Sequence, residues 1–311
     1  MDFWELSCIS LGAAVVVYFG VKLILSCKML FPKLWFPLPK SFFTSMGEWA
    51  VVTGASDGIG RQYAVALAKH GMNVVIMSRT KYKLDKVAKE IGESTGRKVK
   101  VIVADFTKED DFNCIEDELK DMNIGVLVNN VGMLVSTLPC KFLAAPNLDQ
   151  IIPKIINCNV KTMVKMCKII LPGMVHRGKG VIVNISSGVA SVPCPLYSLY
   201  SASKVFVDRF SQALQAEYKD KGIIIQAIAP FSISTRMTYY QTTNFFVLSP
   251  EDFVNTSLLY LRSGDRIYGS VSHTLVGWFL QTILHRLLFS ETMQTTILKY
   301  VKRELNKHKT P

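Results

Sequence analysis

The sequence is short of the features that mark several large protein classes. Charged residues make up only 19% of its 311 positions, against 49% hydrophobic ones, which excludes a chain kept disordered by its charge. Its 7 cysteines are odd in number, scattered and never in a CxxC pair. Neither a disulfide framework nor a zinc site follows from them, and the chain reads as reduced and cytosol-facing. There is no repeat at solenoid spacing and no collagen-like glycine period. Acidic residues are also scarce: 24 Asp and Glu stand against 36 Lys and Arg, for a net charge of +12. A nucleic-acid surface would cluster basic residues with aromatics on one face. Here they are spread out, except for Lys299, Lys302, Arg303, Lys307 and Lys309 near the end. That placement suits an anionic membrane surface, the alternative being an ordinary solvated exterior; no nucleic-acid partner is expected.

What the chain does have is one long uncharged run near its start. LSCISLGAAVVVYFGV covers Leu6 to Val21, and apolar character resumes after Lys22 as far as Cys27. The stretch is long enough to span a hydrocarbon core, with Lys22 able to snorkel. A cleaved signal peptide would begin with basic residues, whereas Asp2 and Glu5 precede this run and Lys28, Lys33 and Lys40 follow it. Residues 1–28 therefore read as a membrane anchor with the remainder in the cytosol, rather than as a core helix. Residues 29–45, with Pro32, Pro37 and Pro39 among aromatics, read as a stiff interfacial linker.

From Trp49 onward, short β-branched runs alternate with stretches of helical apolar spacing. The runs are VVT at Val51, NVVIM at Asn73, KVIV at Lys100, VLVNN at Val126, VIVNIS at Val181 and IIIQAIA at Ile223. Ile59 to His70, closed by Gly71, and Val205 to Tyr218 carry the helical pattern. Continuous apolar strands between helices imply a parallel sheet covered on both faces. The expectation is a doubly wound, Rossmann-like α/β domain over residues 46–265, with right-handed crossovers.

After the first strand stands TGASDGIG, Thr53 to Gly60. Glycines spaced this way allow a tight turn, let bare backbone approach a pyrophosphate, and open a helix whose dipole favours negative charge. Gly54, Ser56, Asp57, Gly58, Ile59 and Gly60 are the candidate contacts. Gly54 to Gly58 also satisfies G-x-S-x-G, the nucleophile elbow, which would make Ser56 a nucleophile. That reading finds no convincingly placed histidine and leaves Gly60 unexplained. Arg79, ending the second strand, stands where an acid would hold the 2′-hydroxyl of NAD. Its guanidinium suits a 2′-phosphate, so NADP(H) is the expected cofactor. Asp105 is placed to receive the adenine amine, and Asn129 and Asn130 to wall the site with their amides.

Strand five runs into Ser186 and Ser187, and a later helix opens with Tyr200-Ser201-Ala202-Ser203-Lys204. Tyrosine and lysine at i, i+4 share a helical face, so the ammonium charge favours the phenolate and brings it into range for acid–base work. Lys204 is also placed to fork onto ribose hydroxyls.

TGxxxGxG, NNxG, the upstream serine and YxxxK together resemble the short-chain dehydrogenase/reductase family over residues 46–265. The resemblance implies that Ser187 hydrogen-bonds the substrate carbonyl, Tyr200 donates the proton, Lys204 assists it, and Asn159 in NCNV holds a relay water. It also implies a homodimer. The family's usual Pro-Gly after strand six is replaced by Pro230-Phe231, with Thr235 placed for the carboxamide. LPKSF, GEWAVVTGASDGIG and LYSLYSASK are similar to the membrane-bound 17β-hydroxysteroid dehydrogenases. That branch implies NADPH-dependent reduction of a 17-ketosteroid at the endoplasmic reticulum, of the androstenedione-to-testosterone type. Its sister branch reduces 3-ketoacyl-CoA in very-long-chain fatty acid elongation, and a lipid-binding scaffold without turnover is the non-enzymatic alternative.

Aromatics after strand six, Tyr239, Tyr240, Phe245 and Phe246 among them, suit an apolar ketone. Residues 266–311 read as an apolar membrane-associated segment, interfacial over Val271 to Phe289, and a basic tail whose KHKTP end resembles a KxKxx retrieval signal. Asn184 and Asn255 head glycosylation sequons that are expected to stay unmodified.

Overall fold

The computed structural model describes residues 2–35, 37–108, 112–284 and 286–307. His285 and residues 308–311, and with them most of the retrieval signal, lie outside that set.

Seven strands form one sheet in the order β3-β2-β1-β4-β5-β6-β7. They are β1 Trp49–Thr53, β2 Asn73–Ser78, β3 Val99–Val103, β4 Ile124–Asn129, β5 Gly180–Ile185, β6 Ile223–Ile228 and β7 Arg266–Ile267. Every pairing is parallel, so each connection is a crossover that lays a helix on the sheet. This is the doubly wound α/β architecture anticipated from the alternating pattern.

Successive strand residues face opposite layers. Ala50 and Val52 of β1 join Val74, Ile76, Val126 and Val128 under Tyr63, Leu67 and Leu84. Val51 joins Val75, Met77, Leu127 and Ile182 on the other face, under Met163, Met166 and Ile170. Both layers are dry, which is why the strands lack polar alternation; each such buried Val, Ile or Leu contributes roughly 1.5–3 kcal/mol. The sheet runs past residue 265, because the short β7 pairs with β6 through Ala227–Arg266 and Ile228–Ile267.

The first helix, Phe3–Leu30, stands apart from this core. Among the described residues, its segment Phe3–Val21 is the one helix long and apolar enough to cross a membrane, and none of it is buried. The second apolar stretch is broken. It forms helix Val271–Phe279, a wider turn at Leu280–Leu284 and a tight turn at Leu287–Phe289. The sequon asparagines differ sharply: Asn184 is fully buried and donates to Ser211 Oγ at 2.8 Å, while Asn255 is exposed.

Candidate active site

β1 and β4 are neighbours, with later crossovers running to opposite edges, so a crevice opens beyond their carboxyl ends. Thr53 closes its floor. Its hydroxyl accepts the N–H groups of Asn130 at 3.0 Å and Val131 at 3.2 Å, joining the ends of the two strands.

Above this floor the glycine loop is held by close backbone approach. Gly54 and Gly58 have φ of +67° and +56°, which side chains rarely adopt. A Cβ on Gly60 would stand 2.4 Å from Gly54 O. Asp57 caps helix Gly58–Lys69 through Oδ1, which accepts from Gly58 N at 2.8 Å. Ile59 packs on the core, and Ser56 accepts from Ser78 Oγ at 2.9 Å. Ser56 thus has a hydroxyl rather than an imidazole for a neighbour, which gives the nucleophile-elbow reading no support. A bare-backbone cradle at a helix start fits a pyrophosphate.

Asn129 and Asn130 do not wall the crevice with their amides. Asn130 Nδ2 turns under the loop to the carbonyls of Thr53 at 3.0 Å and Gly54 at 3.2 Å. Asn129 Nδ2 is buried against Asn184 Oδ1 at 2.8 Å. Their amide donors go to internal acceptors, so they brace the site from behind. Arg79 is exposed directly beyond β2. Asp105, beyond β3, accepts from Thr107 N at 3.1 Å and Thr107 Oγ1 at 2.8 Å. Burial pushes the Asp105 carboxyl up, but the Thr107 bonds and the charges of Arg79 and Lys108 outweigh it and hold the group below its usual value.

On the other side of the crevice, helix Ser198–Tyr218 buries both Tyr200 and Lys204. Lys204 Nζ lies 5.9 Å from the Tyr200 ring centroid. Ser187, beyond β5, is hydrogen-bonded to Tyr200, whereas its neighbour Ser186 donates to Lys204 O at 2.9 Å and so serves the backbone. Asn159 sits in a widened helical turn, Ile156–Lys161, of a kind concentrated at functional sites. Its Oδ1 accepts from Met133 N at 2.8 Å, and its Nδ2 donates to Met133 O and Ser203 Oγ, both at 3.0 Å. Gly132 lets these groups meet: a Cβ there would stand 3.2 Å from Lys204 Nζ and 3.7 Å from Asn159 Oδ1. The structure therefore brings Asn159, Ser187, Tyr200 and Lys204 to one place.

The protonation pattern is not the one the Tyr–Lys spacing implies. Burial raises the Tyr200 phenol above its usual value, and the bond to Ser187 opposes that only in part. Lys204 donates to Ile185 O at 2.8 Å. Burial pushes its ammonium down to about 8, against the neighbouring Cys158 and Asp208. A phenol that keeps its proton is a donor, which suits work on a developing alkoxide.

The loop after β6 takes its path from Phe231. The Phe231 ring stacks on Tyr268 at 5.5 Å and covers Gly188 so closely that a Cβ there would lie 2.4 Å from Phe231 Cε1. Buried His273 accepts from Phe231 N through Nδ1 at 3.4 Å, and its Nε2 lies 3.3 Å from Phe246 O. Burial lowers this imidazole, with the carbonyls of Phe246, Ser232 and Tyr268 pulling the other way. Thr235 pairs with Thr238 in a reciprocal cap, and its methyl would meet a Cβ on Gly58 at 3.0 Å. Tyr240 Oη donates to Asp57 Oδ2 at 3.3 Å, so the loop leans on the glycine cradle. Beside Tyr200 the wall is mostly apolar: Leu134, Val135, Leu138, Pro139 and Leu196, with Ser136, Cys140 and Tyr197 among them.

Several groups here escape a reading of sequence alone. Asp208 holds Arg266 at 2.7 Å, and Arg266 also reaches Ser191 at 2.8 Å. Asp208 lies four residues past Lys204, a signal visible in the sequence; Phe231, Tyr268 and His273 are joined only by the fold.

Comparison with known proteins places this architecture. The family profile of short chain dehydrogenases matches residues 48–244. The chain is 54% identical to 17-beta-hydroxysteroid dehydrogenase type 3 of Danio rerio, over 97% of this chain and 98% of that protein. It is 46% identical to the very-long-chain 3-oxoacyl-CoA reductase of Anas platyrhynchos, over 80% of each. A short-chain dehydrogenase from Sphingobium yanoikuyae, solved in complex with NADPH, superposes with a TM-score of 0.66 at 29% identity, covering 78% of this chain and 95% of that one. With the profile spanning the sheet from β1 past β6, and a named dehydrogenase half-identical along nearly the whole length, the chain belongs to the short-chain dehydrogenase/reductase family, an oxidoreductase working with a nicotinamide cofactor on a small-molecule substrate.

Proposed function

We propose that this protein reduces a 17-ketosteroid to the 17β-alcohol with NADPH, as in the conversion of androstenedione to testosterone. The observation that carries the reading is the buried Tyr200, bonded to Ser187, beside an apolar wall and one helical turn from Lys204. The likeness to the Danio rerio dehydrogenase, fuller and nearer than that to the 3-oxoacyl-CoA reductase, favours the steroid.

A nicotinamide cofactor supplies the hydride when bound. Gly54, Ser56, Asp57, Gly58, Ile59 and Gly60 form its pyrophosphate cradle, Arg79 takes the 2′-phosphate that distinguishes NADP(H), and Asp105 receives the adenine amine. Asn130 supports the cradle from below, and Thr235 meets the nicotinamide side. Ser187 donates to the ketone oxygen and polarises the carbonyl, while Tyr200 gives its phenolic proton to the same oxygen as negative charge develops there. Lys204, 5.9 Å from the Tyr200 ring, would bind the ribose and stabilise the phenolate left behind. Asn159 anchors the route by which that proton is replaced. Apolar walls hold the steroid by burial rather than by directional bonds.

The catalytic unit, residues 46–265 extended through β7, would be carried on the cytosolic face of the endoplasmic reticulum by the anchor at residues 1–28, with 29–45 as linker. A homodimer fits the family. Initial rates with NADPH and either androstenedione or a long 3-oxoacyl-CoA test the assignment: a higher kcat/KM for the steroid is expected, and a preference for the thioester would replace it. The 3-oxoacyl-CoA reductase likeness makes that thioester the second reading.

A further inference from the structure

Helix Val271–Phe279 is turned inside out relative to an ordinary surface helix. Its small and polar residues face inward. Ser272 and His273 are buried, and Gly277 lies so close to Tyr268 that a Cβ would stand 2.1 Å from the ring. Its large apolar residues face out: Leu275, Trp278 and Phe279 are 48%, 60% and 44% exposed. Spaced i, i+3, i+4, they form one continuous stripe.

The contact between His273 Nε2 and Phe246 O ties this helix to the tip of the loop that leaves the active site. At that tip Phe245 and Phe246 are 60% and 59% exposed, with their rings packed edge to face and their centroids 5.3 Å apart. Water-facing aromatics on the loop tip and on the helix that His273 joins to it mark an interaction surface. The residues that follow identify its partner. Arg286, Lys299, Lys302 and Arg303 are all exposed beyond the apolar stripe. Apolar groups backed by cations match a bilayer with anionic headgroups. The segment Phe3–Val21, unburied and long and apolar enough to cross a membrane, would bring the same chain to such a surface.

We infer that the Phe245–Phe246 loop tip and the Leu275–Trp278–Phe279 helix face sink together into the lipid interface and form the mouth through which the ketone passes from membrane to active site. The lipid contact stands on the surface alone; the passage of a ketone rests on the reductase reading. Because Thr235 and Tyr240 of the same loop touch the glycine cradle, the lipid-seated tip and the reacting centre are two ends of one segment.

The test uses the full-length chain in vesicles of phosphatidylcholine and phosphatidylserine. With Trp4→Phe, Trp35→Phe and Trp49→Phe, Trp278 becomes the sole indole. Acyl-brominated lipid is expected to quench it at least about twofold, with iodide excluded. Should these substitutions unfold the chain, vesicle-induced slowing of hydrogen exchange at residues 245–246 and 275–279 of the unsubstituted protein reads the same contact. Phe245→Glu with Phe246→Glu should raise KM several-fold for a vesicle-dissolved ketosteroid and leave KM for NADPH unchanged. Quenching without any steroid turnover would uphold the contact and remove the reductase reading. A Trp278 open to iodide and unaffected by brominated lipid overturns the proposal, as does a dimer interface that shields it equally without lipid.

Discussion

The two sides of the crevice are built from different materials. The β1–β2 side presents backbone, left-handed glycines and a capped helix start, braced from β4 by the Asn130 amide. The β5 side presents buried side chains, Asn159, Tyr200 and Lys204, the last a lysine that an ordinary core would not accept. A site made of backbone tolerates pH and fails when a Cβ is added. A site made of buried titratable groups keeps its shape and fails when a charge or proton is moved.

Four substitutions and a titration sharpen that contrast. The largest effect belongs to the side-chain half: Lys204→Met should lower kcat for reduction roughly 10³-fold while the fold persists, as read by steady-state kinetics with circular dichroism alongside. Next is Arg79→Glu, which should cut kcat/KM with NADPH by about 10²-fold and favour NADH, because a charge-assisted bond is replaced by repulsion. On the backbone half, Gly60→Ala should destabilise the protein by about 1–3 kcal/mol in denaturant unfolding and weaken dinucleotide binding, since the new Cβ meets Asn130 Nδ2 and Gly54 O at 2.4 Å. The smallest is a titration. Lys204 is protonated below about 8 and loses its charge as pH rises through that value, so kcat/KM for reduction should fall about tenfold per unit above it. Asp208→Asn, which removes a charge that holds the ammonium up, should move the limb to lower pH; an unmoved limb would assign it to another group.

The same contrast explains what could be read before any fold was known. Backbone sites advertise themselves locally, because glycine spacing after an apolar run leaves few alternatives, and Gly54, Gly58 and Gly60 lie where the pattern puts them. Tyr200 and Lys204 were legible for a similar reason, since i, i+4 on one helix is a local relation. Six strands were legible from β-branched runs, whereas β7 is only two residues long and carries no run to find. Non-local relations were not legible. Nothing near Phe231 announces that its ring will cover Gly188 and stack on Tyr268, or that His273 will pin both ends of the loop. The inward turn of Asn129 and Asn130 was likewise hidden, because it depends on acceptors from β1 and β5 arriving beside β4. The raised Tyr200 was hidden too, because spacing gives the lysine's place on the helix but not the depth of burial that lifts the phenol.

The central claim is that Tyr200 donates the proton to a steroid ketone oxygen. Single turnover of androstenedione with NADPH by the vesicle-bound protein and by its Tyr200→Phe variant tests it most directly. Loss of roughly 10³-fold in the rate of testosterone formation, with dinucleotide affinity within about twofold of the parent, is the predicted result. A variant that forms testosterone at the parental rate would contradict the account.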